Sequence, residues 1–176
     1  MADALFHIGS KAAEVSPDGQ YRYRLLRVWD ESRPLLTWVM LNPSTADADD
    51  DDPTIRRCVG YARREGYGGI KVVNLFAYRA TKPRDMLTAP DPVGDGGDAA
   101  LALTLRASSF SRLPVIVAWG ANAPAWRVEQ FREMAAGLRP LPNLLCLGVT
   151  RCGQPRHPLM VRADQPFEPW VGEPAS

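Results

Sequence analysis

A chain of 176 residues, 45% of them hydrophobic, has the size for one domain whose core needs neither disulfides nor metals. Its formal charge of +1 does not announce a nucleic-acid binder, and no apolar run approaches the roughly 20 residues that cross a bilayer. Met1 to Lys11 has no basic stretch followed by an apolar one, so it does not read as a signal peptide.

These features set the expectation of one cytoplasmic domain over residues 1–176, monomeric and not bound to a membrane. Cys58, Cys146 and Cys152 fall in no CxxC pair and form no zinc or disulfide pattern. Buried reduced thiols are expected, with no metal and no cofactor. The charge is unevenly spread. Asp47, Asp49, Asp50, Asp51 and Asp52 crowd together, while the basic residues are nearly all arginine. Arginine's planar fork suits phosphate, although genome composition could also account for that preference.

In chain order, residues 21–29 partly alternate polar and apolar, like a half-buried strand. Asp30 to Pro34 reads as a turn. Leu35 to Leu41 is a continuous apolar run, as in a strand covered on both faces. The two runs suggest an N-terminal hairpin. The second stops at Asn42-Pro43. Asp52-Pro53 then opens a helix, with aspartate as cap and proline in the first turn. Ile55, Cys58, Val59 and Ala62 recur at helical spacing, and Gly66 to Gly69 end the helix.

Ile70 to Asn74 is a further strand. Leu75 to Gly97 reads as a long loop, a kind that is often functional. Asp98 is expected to cap a helix over 99–109. Pro114 to Gly120 is a strand, Ala125 to Leu138 a helix and Asn143 to Gly148 a strand, with loop from Val149 onward. This alternation predicts an α/β fold, a mainly parallel sheet with helices on both faces. Ligands of such sheets bind beyond the carboxyl ends of the strands. Asn42-Pro-Ser-Thr45, Asn74-Leu-Phe76, Trp119-Gly-Ala-Asn122 and Gly153-Gln-Pro-Arg-His-Pro158 all fall there. Their convergence predicts an active site.

Each motif has a plainer alternative. Asn42 can hold a water or substrate, or simply form a turn. The acidic run can supply a general base, Asp47 being nearest the strand end, or ligands for a hard cation, although its spacing is not that of a calcium loop, or can cap a helix as solvated charge. Asn74 can donate and accept at once, as the edge of a pyrimidine requires, or end a strand in a turn. His157, between Arg156 and Pro158, can donate to a developing anion as neutral imidazole, or be an exposed loop residue.

Taken in order, these motifs resemble the uracil-DNA glycosylase superfamily over about residues 38–162. Leu41-Asn42-Pro43 resembles its first motif. Val72 to Pro83 resembles its strand-end asparagine followed by an arginine–proline segment. Val115 to Gly120 resembles its apolar strand ending in glycine, and His157-Pro158-Leu159 resembles the opening of its closing motif. The chain also looks like a domain family of unknown function marked by L-N-P-S-T-A-D and P-R-H-P-L blocks.

The glycosylase resemblance implies a central four-stranded, mainly parallel sheet flanked by helices. It implies excision of uracil from DNA after the nucleotide is flipped out of the stack. Asn42 would position the attacking water, with Asp47 acting where Asn42 cannot. Asn74 would read the uracil edge, and His157 would donate to the uracil oxygen. Phe76 or Tyr78 would stack on the base, and Ser44 stands where the family's small residue lies beside it. Leu159 or Met160 would wedge into the duplex, and Thr45, Arg79 and Arg156 would contact DNA. Ser44 in place of glycine, and His-Pro-Leu-Met in place of His-Pro-Ser-Pro, depart from the pattern. Hydrolysis of a free nucleoside or nucleotide, and non-enzymatic binding of abasic or damaged DNA, remain the alternatives.

Overall fold

A computed structural model describes residues 10–44, 46 and 49–172. Seven strands form one sheet: β1 (Lys11–Val15), β2 (Arg22–Val28), β3 (Leu35–Met40), β4 (Gly69–Asn74), β5 (Val115–Val117), β6 (Leu144–Cys146) and β7 (Glu168–Pro169). The helices are α1 (Pro53–Arg64), α2 (Pro83–Leu87), α3 (Gly97–Phe110) and α4 (Ala125–Ala136), and a short 3-10 turn spans Pro158–Met160. The strand order is β1-β2-β4-β3-β5-β6-β7.

The expectation of a four-stranded, mainly parallel sheet is therefore corrected. The sheet has seven strands and is mixed. β4–β3, β3–β5 and β5–β6 pair parallel, whereas β1–β2, β2–β4 and β6–β7 pair antiparallel. The predicted hairpin of residues 21–29 with 35–41 does not form. β2 pairs with β1 and β4 instead. β3 is apolar on both faces, so it takes the centre of the sheet between β4 and β5. The polar alternation of β2 suits a place further out.

The period-2 geometry of the strands divides the core into two layers. Leu36, Trp38 and Met40 of β3 join Ile70 and Val72 of β4 beneath Ile55, Cys58, Tyr61 and Ala62 of α1. Val39, Val73 and Val117 face the opposite way, toward Met86, Leu101, Leu105, Val128 and Phe131 of α2, α3 and α4. On that face Thr37 and Ser108 satisfy each other through a 3.0 Å hydroxyl–hydroxyl bond.

Local details refine the sequence reading. Asp52 caps α1, its Oδ1 accepting from the Ile55 amide at 2.8 Å. Tyr61 rather than Val59 completes that helix's buried stripe. Asp98 lies inside the first turn of α3 rather than capping it, and it pairs with the buried Arg127 at 2.6 Å. The loop 75–97 contains α2. The C-terminal loop contains β7, whose neighbour Trp170 packs edge-on against Trp119 at 5.1 Å. Cys58 and Cys146 are buried, but Cys152 is exposed. Among the described residues no helix is long and apolar enough to cross a membrane.

Candidate active site

The carboxyl ends of β3, β4, β5 and β6 open into a cleft of about 550 Å³, within the range of pockets for small molecules. Asn42 and Ser44 enter from the end of β3, Asn74 from β4, Trp119 to Asn122 from β5, and Thr150, Arg151, Arg156, His157 and Met160 from the segment after β6. Asp52 at the start of α1 and Arg22 at the start of β2 complete the wall.

The backbone holds these segments in register. Leu75 and Phe76 amides donate to the Met40 and Leu41 carbonyls, each at 2.9 Å, which locks the two asparagine-bearing strand ends together. After β6 the chain doubles back through a Val149–Pro155 bridge. The Gly120 amide then donates to the Pro155 carbonyl at 2.9 Å. Gly120 has φ +78°, and a Cβ there would sit 3.4 Å from the His157 Cβ. The positive φ is what calls for glycine at this turn, while the Cβ distance shows how closely His157 packs against it.

Asn74 is the chemically distinctive residue. It is only 6% exposed, and neither its Nδ2 nor its Oδ1 has a hydrogen-bond partner. Buried polar groups are nearly always satisfied, and leaving one unsatisfied costs on the order of 1–3 kcal/mol. An orphan donor beside an orphan acceptor is a template for a ligand edge that offers an acceptor beside a donor.

His157 is held differently. It caps the 3-10 turn, its Nδ1 accepting from the Leu159 amide at 3.2 Å. That bond requires an unprotonated Nδ1, so the neutral ring carries its proton on Nε2. Burial pushes its pKa below the ordinary histidine value, with the Asp52 carboxylate opposing the shift. A neutral imidazole with Nε2–H as its remaining donor results.

Asn42 spends its Nδ2 on the Pro43 carbonyl at 3.0 Å and the Ala80 carbonyl at 2.8 Å. The side chain is thereby fixed, and Oδ1 remains as an acceptor.

Asn42, Ser44, Asn74, Arg156, His157 and Met160 thus share one cleft. Leu159 stands at its margin, on the same 3-10 turn and partly exposed. Three other expectations fall elsewhere. Phe76 is fully buried against Trp126 and Arg127 on the far side of the sheet, so it is corrected from base-stacking residue to core residue. Tyr78 packs edge-on against Tyr21 at 5.7 Å, and Arg79 donates to the Gly19 carbonyl at 3.2 Å. Both serve the β1–β2 turn and do not line the cleft. The aromatic ring that lines it is Trp119, whose Nε1 donates to Gln154 Oε1 at 2.7 Å. Thr45 and Asp47 lie outside the described residues.

Sequence reasoning missed Arg22, and within the acidic run it favoured Asp47 as the base and Asp52 as the helix cap. Arg22 is 3% exposed and donates through Nη1 to the Ala46 carbonyl. It reaches the cleft because β2 runs antiparallel to β4, which brings the start of β2 to the carboxyl end of β4. The pattern of β2 alone gives no sign of that direction. Asp52 could have been found from the DP pair, since a helix that starts at a strand's carboxyl end aims its cap at the cleft. Among the described residues no group of three or more His, Cys, Asp or Glu side chains is arranged to hold a metal ion.

Searches of curated proteins and of solved structures returned no match. The profile of the DUF1643 family, described as a protein of unknown function, matches residues 22–159. That span takes in all the described residues that line the cleft except Met160, and the chain belongs to this family.

Proposed function

We propose that the cleft takes a uracil-type base flipped out of DNA and hydrolyses its N-glycosidic bond, leaving an abasic site. The observation that carries this reading is the pair of unpartnered amide atoms on Asn74 in a cleft that also holds the His157 Nε2–H. A uracil edge presents a carbonyl acceptor next to an imide N–H donor. Asn74 Nδ2 and Oδ1 are its complement, so binding would satisfy two atoms that the protein leaves bare.

The chemistry follows from the same groups. Breaking the bond leaves electron density on the base and positive charge on the sugar. His157 Nε2–H donates to the base oxygen where the charge develops, and does so without releasing its proton. Asn42 Oδ1 accepts from the water that attacks C1′. Met160, 77% exposed on the turn that follows His157, fills the space the flipped nucleotide leaves. The motif resemblance to uracil-DNA glycosylases supports these roles at Asn42, Asn74 and His157.

Arg22, buried in the same wall, favours hydrolysis of a free nucleotide as a second reading, because a guanidinium inside the cleft suits a phosphate bound there. One experiment separates the two. The protein is incubated with an oligonucleotide carrying a single uracil, or with dUMP, and released uracil is measured. Release from the oligonucleotide, abolished in Asn74→Ala and His157→Ala, supports the glycosylase. Release from dUMP alone supports the second reading, and release from neither sinks both.

A further inference from the structure

The reaction needs a proton acceptor for the attacking water, and Asp52 is the one carboxylate among the described residues that lines the cleft. Its two oxygens have different surroundings. Oδ1 is fixed by the Ile55 amide at 2.8 Å, in the cap of a helix of 12 residues that begins with Pro53. Oδ2 accepts no hydrogen bond within the described residues. The cap therefore works as a clamp, holding one oxygen still while the other stays available. Asp52 is also near enough to His157 across the cleft to act on its charge. A cap alone would not need a place in a cleft floored by an unpartnered asparagine, 6% exposed.

We infer that Asp52 is a catalytic residue, its Oδ2 taking the proton of the water that attacks the sugar. The inference rests on the glycosylase reading. A water that donates one hydrogen to Asn42 Oδ1 and the other to Asp52 Oδ2 has its lone pair free for C1′. As the water oxygen bonds to C1′, the C1′–N bond breaks and its electron pair leaves with the base. One water proton moves to Asp52 Oδ2. It then passes to the departed base or to solvent, which restores the carboxylate. The products are an abasic sugar and the free base, with every atom of the water accounted for.

Asparagine and serine cap helices about as well as aspartate, so Asp52→Asn and Asp52→Ser keep the clamp and lose the base. Single-turnover release of uracil from a labelled oligonucleotide is compared with binding of the same oligonucleotide carrying a tetrahydrofuran abasic analogue. Both variants are expected to melt and to bind the analogue like the native chain, while excision falls by about 100-fold or more. Native excision with variants within a few-fold of it would leave Asp52 as a cap only and overturn the inference. A native chain that releases no uracil would overturn the glycosylase reading itself, and Asp52's assignment with it. Should one variant fail to fold, the other decides.

Discussion

The two ends of the parallel strands are built to opposite rules. At the amino end of β4 nearly every group is spent on contact. The Gly68 carbonyl accepts from the Trp29 and Asp30 amides, its own amide donates to the Pro34 carbonyl, and Trp29 Nε1 closes on the Tyr67 carbonyl at 3.0 Å. At the carboxyl end Asn74 keeps two polar atoms unpartnered, Asn42 keeps an acceptor and His157 a donor. The first end contributes stability, while the second gives some up. An unsatisfied residue in a well-packed chain is where a binding site is expected, because the cost is recovered when the ligand arrives.

The largest effect should come from disturbing the packed end. A Cβ on Gly68 would lie 1.9 Å from the Asp30 carbonyl oxygen and 2.8 Å from that of Arg33, both of them backbone atoms. Gly68→Ala is expected to lose at least about 3 kcal/mol. That corresponds to a drop on the order of 10 °C in Tm, read by thermal melting. A change within a degree or two would mean that the 30–34 turn yields freely, and the contrast between the ends would fail.

The converse substitution belongs at the open end. Asn74→Leu keeps the volume and removes both orphan atoms. Uracil excision is expected to fall on the order of 100-fold, while chemical denaturation reports a stability that is unchanged or raised by about 1 kcal/mol. Loss of stability together with activity would show instead that Asn74 has a structural partner.

His157 makes a smaller contribution, and its sign is fixed by the direction of its shift. Its folded pKa lies below the ordinary value because burial disfavours the imidazolium. The unfolded chain therefore binds more protons once the pH falls below about 6.5. Stability is full above that value and declines as the pH drops through it toward the folded pKa. The Tm of the native chain between pH 8 and 5.5 should fall more steeply than that of His157→Gln, by a few degrees at most. Parallel profiles would show that His157 titrates as in the unfolded chain.

How much of this was legible in the sequence depends on whether a feature is local. The cap at Asp52, the strand ends at Asn42 and Asn74 and the loop that carries His157 could be read, because each is written in neighbouring residues. The place of β2 could not. A half-polar strand says that it lies off-centre, but not which strand it joins or in which direction. That ambiguity hid both the mixed sheet and Arg22's arrival at the cleft. Phe76 misled for a related reason. Its position two residues after Asn74 suggests a shared face, as i and i+2 have within a strand, but β4 ends at Asn74, the alternation stops there, and Leu75 and Phe76 both join the opposite layer. Asn74 turns to the cleft and Phe76 to the layer under α4. β7 is too short to leave a periodic pattern, and Trp170 finds its place only because Trp119 and Phe131 are already there.

The smallest expected effect tests the rim of the open end. Met160 is 77% exposed and contributes little to the core, so Met160→Ala should melt within about 2 °C of the native chain. A side chain that fills the gap left by a flipped nucleotide matters most when a partner strand must be held apart. In single-stranded DNA there is no pair to break and little stacking to replace. Excision from duplex should therefore drop several-fold in Met160→Ala, with excision from the single-stranded oligonucleotide unchanged. An equal drop in both would make Met160 part of the base pocket. No drop in either would place the strand-separating work elsewhere on the rim, with Leu159 as the next residue to truncate, because it shares the same turn and is also partly exposed.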